Sequence, residues 1–154
     1  MLHPRMLAVM AIAAALPTAV IAQSETSILE TAKPVAYGYE EDTPFRPQLL
    51  KLFEPILEEN QDSRAGSNLG VATIDINAYG ATEVVARLES IDTCGSGGCQ
   101  THVYQYTSAG WAEIFNAWVQ SVAVAESETG GYKDLVINGN RIWRWNGTSY
   151  DLSE

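Results

Sequence analysis

The chain has 154 residues, 9 of them basic and 19 acidic, for a net charge of -10 at pH 7. That balance excludes nucleic acid as a partner, because neutralising phosphates needs a basic surface. It also argues against an anionic membrane surface, and fits a protein kept soluble by its own negative charge.

Met1 to Arg5 is a short polar stretch with one fixed positive charge, and an apolar run follows from Met6 to Leu16. The segment Pro17 to Ala22 closes with Val20 and Ala22, small or β-branched residues that suit a signal peptidase cutting after Ala22. This order predicts a cleaved secretory signal over residues 1–22. The run falls short of the roughly 20 apolar residues that span a bilayer, and Pro17 interrupts it. No cysteine sits near the cut to carry a lipid. The remaining 132 residues begin at Gln23 and hold 8 basic residues against the same 19 acidic ones. They amount to one domain. No second long apolar run follows, so no membrane span is expected after cleavage and the product is placed in the periplasm or outside the cell.

Residues 23–43 are polar and acidic, with Pro34, Gly38 and Glu40-Glu41-Asp42, and read as an extended arm or linker. Ile28, Leu29, Tyr37 and Tyr39 are the groups able to dock it. Pro44 to Gln61 has helical spacing, with Phe45, Leu49, Leu52, Phe53, Ile56 and Leu57 at steps of three and four. Asp42 or Thr43 can cap it. Pro55 lacks a donor and crowds the preceding turn, which predicts a kink or two short helices.

From Leu69 the pattern turns to short strands: Leu69–Ile76, Glu83–Ile91, Thr101–Thr107, Trp111–Val119, Val122–Glu126, Asp134–Asn138, Arg141–Asn146 and Thr148–Leu152. Ser108-Ala109-Gly110 reads as a hairpin turn, and Gly139-Asn140 as a two-residue loop able to take positive φ. The expectation is an α+β fold, with an N-terminal helical segment packed on a mainly antiparallel, meandering β-sheet in a single domain over 44–154. The turn and strand start Gly80-Ala81-Thr82-Glu83-Val84-Val85 returns as Gly131-Tyr132-Lys133-Asp134-Leu135-Val136, which suggests two similar units in one sheet.

Cys94 and Cys99 are the only cysteines, separated by Gly95-Ser96-Gly97-Gly98. In an oxidising compartment, with a spacer this free, they are expected to form a disulfide. The rival is a metal held by Cys94, Cys99 and His102, but closed structural zinc sites use four ligands and this spacing supplies three. No metal or cofactor is expected. No catalytic constellation stands out either. His102 is the only histidine after cleavage, no G-x-S-x-G elbow exists, and acid pairs such as Glu58-Glu59 read as solvated faces.

Asp75, Asn77, Gly80 and Glu83 have the spacing of a calcium loop. They resemble the D-x-[DN]-x-D-G-x-x-[DE] loops of FG-GAP and VCBS repeats, the units of integrin-alpha-like propellers. Tyr79 stands where the third acid belongs, and a phenol is a poor ligand for a hard cation. The loop is therefore expected to keep the turn and lose most of its affinity. Gly131 to Leu135 and Trp143 to Tyr150 are similar to the G-Y-x-D-L and W-x-G-x-x-Y endings of small exported bacterial proteins of unknown function. The resemblance implies a binding or structural role rather than a reaction. Tyr104 with Tyr106, and Trp143 with Trp145, lie two apart on their strands and offer an aromatic face for a sugar, or ordinary core. The expected function is that of an exported, non-enzymatic domain binding a protein or envelope component. The alternatives are a cell-envelope hydrolase or an inhibitor of a hydrolase.

Overall fold

The computed structural model describes residues 24–39, 44–59, 68–77, 79–80 and 82–153. The signal expected over residues 1–22 lies outside them. Two helices and ten strands make up the described residues: α1 Glu25–Thr31, β1 Lys33–Pro34, α2 Arg46–Glu59, β2 Asn68–Ile74, β3 Glu83–Glu89, β4 Cys94–Gly95, β5 Gly98–Thr107, β6 Gly110–Val119, β7 Val122–Thr129, β8 Tyr132–Ile137, β9 Arg141–Trp145 and β10 Tyr150–Leu152. Every strand pairing is antiparallel. The class is α+β, dominated by strands.

The strands form two sheets rather than one. Sheet A runs β1-β7-β8-β9-β10; sheet B runs β2-β3-β5, with β4 and β6 also paired to β5. The burial pattern of β3 explains the division. Val84, Val85, Ala86 and Leu88 are all buried, so both faces of this strand are covered. Val85 points with Val103, Leu135 and Ile137 into a core shared by the two sheets. Val84, Ala86 and Leu88 point the other way, onto Leu49 and Phe53 of α2. Sheet A repeats the arrangement: Leu135 and Ile137 face the shared core, while Val136 and Ile142 pack with Ile28 of α1. Alternation along each strand thus sorts side chains into three apolar clusters.

The sheets join at a tight corner. β6 ends at Val119 and β7 starts at Val122, and the N–H groups of Gln120 and Ser121 both donate to Asn138 Oδ1, at 2.7 and 3.2 Å. Asn138 and Gly139 carry positive φ, 55° and 70°. The turn residues are therefore Asn138-Gly139, not Gly139-Asn140, as expected of an Asn-Gly pair in a hairpin.

The stretch read as an arm carries α1 and β1. Ser24 caps α1 by accepting from Ser27 N–H at 3.3 Å. β1 adds to the edge of β7, and Gly38 then pairs with Val71 on the edge of β2. Main-chain pairing and the burial of Ile28 fix this segment. α2 runs through Pro55 as one helix, not two, with Leu49 and Phe53 one turn apart as its buried residues.

Candidate functional site

Sheets A and B each end in an edge strand, β1 and β2, and between them lies a cleft of about 330 Å³. Its floor is apolar, made by Val35, Ala72, Ile74 and Val124 at the rim of the shared core. Its mouth is charged. Lys33 Nζ lies 2.7 Å from Glu126 Oε1 in an exposed ion pair, and Lys133 and Asp75 add one charge of each sign. The Glu126 carboxyl is held below its ordinary range by its hydrogen bond to Lys33 and by the charges of Lys33 and Lys133. Among the described residues no aromatic ring lines the cleft.

The edge of β2 inside the cleft is open. Val71 exchanges both main-chain bonds with Gly38, at 2.8 Å each, so the Val71–Ala86 pair within the sheet is the non-hydrogen-bonded kind. Pairs alternate along an antiparallel ladder, and Thr73, opposite Val84, must also turn its N–H and C=O outward. The chain that covers Val71 leaves before it reaches Thr73: Val35 N–H bonds to Val122 O, on the other sheet, at 2.9 Å.

His102 lies elsewhere, on the face of β5 beneath α2, and is 2 % exposed. Its Nδ1 lies 2.6 Å from Glu113 Oε2, and Tyr104 Oη donates to the same oxygen at 3.2 Å. A β-bulge brings Glu113 there. Pairing between β5 and β6 shifts after Val103–Phe115, so Tyr104 faces Glu113 where regular pairing would supply Ile114. Phe53 of α2 closes over the group, 4.9 Å from the His102 ring and 6.1 Å from that of Tyr104. Burial, with the Glu113 carboxylate beside it, pushes the Tyr104 hydroxyl up. His102 Nε2 is buried without a hydrogen-bond partner. A carboxylate only accepts, so Nδ1 donates to Glu113.

Of the three side-chain oxygen donors in the calcium-like loop, Asp75 is exposed and borders the cleft, while Asn77 and Glu83 are buried and bonded to each other. Glu83 also accepts from Ile76 N–H at 3.3 Å, and Asn77 Oδ1 accepts from Tyr79 N–H at 2.9 Å. Burial raises the Glu83 carboxyl above its ordinary range, against the pull of the bonds from Ile76 and Asn77. Asp134, the matching acid of the second unit, is likewise buried and accepts from Ser127 and Thr129 hydroxyls at 2.7 and 2.8 Å. Glu83 thus ties the start of β3 to the chain leaving β2, and Asp134 ties β8 to β7. Among the described residues no group of three or more His, Cys, Asp or Glu is placed to hold a metal ion.

Cys94 and Cys99 form a disulfide. They face each other across the β4–β5 hairpin, with Gly95 opposite Gly98, so the bridge spans two paired strands. The four aromatics do not share a surface. Tyr104 is buried in sheet B, and Tyr106, 59 % exposed, meets Trp111 edge-on. Trp143 and Trp145 are in sheet A, against Phe115 and against Tyr132 and Tyr150. No described helix is long and apolar enough to cross a membrane. Sequence reading passed over Lys33, Thr73 and Lys133. The available signal was Thr73, a polar residue between the apolar Ala72 and Ile74 of β2.

The chain matches no protein-family model, no curated protein and no solved structure.

Proposed function

We propose that this protein is exported to the periplasm or beyond and works there as a non-enzymatic binding domain, with the cleft between the sheet edges as its contact site. The observation that carries the reading is the cleft: an apolar floor and a charged mouth, open to solvent, at a place where main chain is still free to pair. Most ligand sites are concave and mainly apolar with a few placed polar groups, and this one sits at the small end of their usual range. The charged, apolar and small-residue order of Met1 to Ala22 supports export, as does the disulfide, which persists in oxidising compartments. The resemblance of Asp75 to Glu83 to FG-GAP and VCBS loops agrees with a binding role.

The test is capture from envelope extract by the full chain and by Ala36→Trp, which fills the cleft from its exposed strap. The wild type is expected to retain a component that the variant does not, and its extracytoplasmic form is expected to begin at Gln23. Equal retention by both, or an intact Met1 terminus in the cytoplasm, counts against the reading.

A second reading, a hydrolase acting on envelope polymers, draws on the His102–Glu113 contact of 2.6 Å. It is the weaker of the two, because His102 is buried, with Phe53 of α2 against its ring. Release of soluble fragments from envelope polymer by the wild type, and not by His102→Ala, would favour it.

A further inference from the structure

We infer that the cleft binds an extended peptide by adding it as a strand to the free edge of β2 at Thr73. This rests on the cleft being the binding site, and names what occupies it.

Three observations point to a peptide main chain. The first is the outward N–H and C=O of Thr73, required by the alternation that starts from the Val71–Gly38 bonds. Thr73 is exposed and borders the cleft. The second is the chain's own precedent. Gly38 already sits on this edge as a one-residue antiparallel bridge, so the edge accepts a strand, and the position beyond it is left open where the strap turns away to Val122. The third is the floor. Val35, Ala72, Ile74 and Val124 offer apolar contact beside the edge, where alternate side chains of an added strand would point.

The composition of the cleft selects within that class. About 330 Å³ suits one or two aliphatic side chains. With no ring among the described residues of its lining, the cleft shows no platform on which to stack a sugar. Its mouth carries two cations, Lys33 and Lys133, and two anions, Asp75 and Glu126. Recognition therefore falls to main-chain bonds and small apolar side chains, with little preference for charge. The occupant is an unfolded or edge-exposed segment with a small aliphatic residue at every second position. Exposed strand edges are usually blunted because they recruit other chains; here the strap covers the edge at Val71 and leaves Thr73 open.

The test uses the full chain and one defined probe, an N-acetylated, C-amidated hexapeptide alternating valine and threonine. A twin N-methylated at alternate residues lacks the main-chain donors on one side. Amide exchange at Thr73 is followed by NMR. The plain peptide is expected to slow exchange of the Thr73 N–H, and its affinity is expected to change little with salt. Each main-chain bond removed by methylation should weaken binding roughly fivefold. Thr73→Pro, a substitution edge strands tolerate, removes the Thr73 donor and should weaken binding at least roughly fivefold. If Thr73→Pro does not fold, the methylated twin makes the same test on the wild type. The inference falls if the plain peptide leaves Thr73 exchange unchanged or if the twin binds equally well. An envelope component whose capture is lost in Ala36→Trp but kept in Thr73→Pro would retain the cleft as a binding site and remove strand addition. Capture indifferent to Ala36→Trp would remove the cleft itself.

Discussion

Asn77 donates its side-chain amide to the buried carboxylate of Glu83, and the same carboxylate takes the N–H of Ile76. The turn after β2 is thus closed by its own side chains. Asn77→Ala should cost about 1–3 kcal/mol, because it strips a donor from a buried carboxylate. Asp75→Ala, at an exposed position, should cost under about 0.5 kcal/mol. Added calcium should leave the melting temperature of the wild type unchanged. A large upward shift that Asp75→Ala abolishes would overturn this, and Tyr79→Asp would create binding if the turn keeps the shape of the loops it resembles. Urea denaturation and thermal scans with and without calcium make the measurement.

The same carboxylate sets a pH dependence. Burial holds the Glu83 carboxyl above its ordinary value of 4.5 in the folded protein. The folded state therefore binds this proton more tightly than the unfolded chain does. The stability linked to it is fully present below pH 4.5 and is lost as pH rises through the raised folded value. The gap in stability between wild type and Glu83→Leu should accordingly shift against the wild type as pH increases across that window. A gap that moves in the wild type's favour would contradict the sign.

Glu113 and His102 give a third prediction. Glu113→Ala leaves Nδ1 of a buried ring without its carboxylate acceptor and should cost about 1–3 kcal/mol. Glu113→Gln keeps an acceptor oxygen in place and should cost less. A structural pair gives this order in urea denaturation, with capture from envelope extract unaltered by Glu113→Gln. Loss of capture in a Glu113→Gln protein of full stability would place this pair, not the cleft, at the contact.

Two neighbouring glycines should behave differently. A Cβ on Gly98 would lie 2.0 Å from the carbonyl carbon of Val119, at a residue with φ of 109°. A Cβ on Gly97 would meet nothing within 4 Å. Gly98→Ala should destabilise by more than the roughly 1–2 kcal/mol of a left-handed backbone alone. Gly97→Ala should stay within about 0.5 kcal/mol of wild type. Equal effects in a melting comparison would contradict the packing of β5 against the β6–β7 corner.

The disulfide should act locally. Its loop holds four residues between the cysteines, and short loops constrain the unfolded chain least, so the double serine variant should lose at most about 2–3 kcal/mol. Faster amide exchange should be confined to Cys94–Cys99 and the adjoining corner. Two free thiols in the denatured, unreduced protein would exclude the bond.

The amino-acid sequence by itself located eight of the nine described strands from β2 onward, but not β4, Cys94–Gly95. Their signals are local: the valine-rich run of Val84 to Leu88 and the Ser108-Ala109 turn before Gly110; at the β8–β9 turn the structure replaces the expected Gly139-Asn140 by Asn138-Gly139. The cysteine partners followed by elimination, since no others compete. α1 escaped because seven polar-rich residues carry little periodic signal and depend on one buried side chain, Ile28.

Tertiary structure alone decided how many sheets there are, what covers them and where the edges stay open. β3 shows why. Val84, Val85 and Ala86 are apolar in succession, which says that both faces are covered but not by what; one face meets a second sheet and the other meets α2. Pairing partners are distant in sequence, and a one-step shift in register changes which groups meet. The bulge in β6 puts Glu113 opposite Tyr104 and close to His102, a contact that no spacing in the chain encodes. The cleft is less legible still, because it exists where the strap leaves Val71 for Val122. An unpaired N–H on Thr73 depends on where other strands stop, and only the folded chain fixes that.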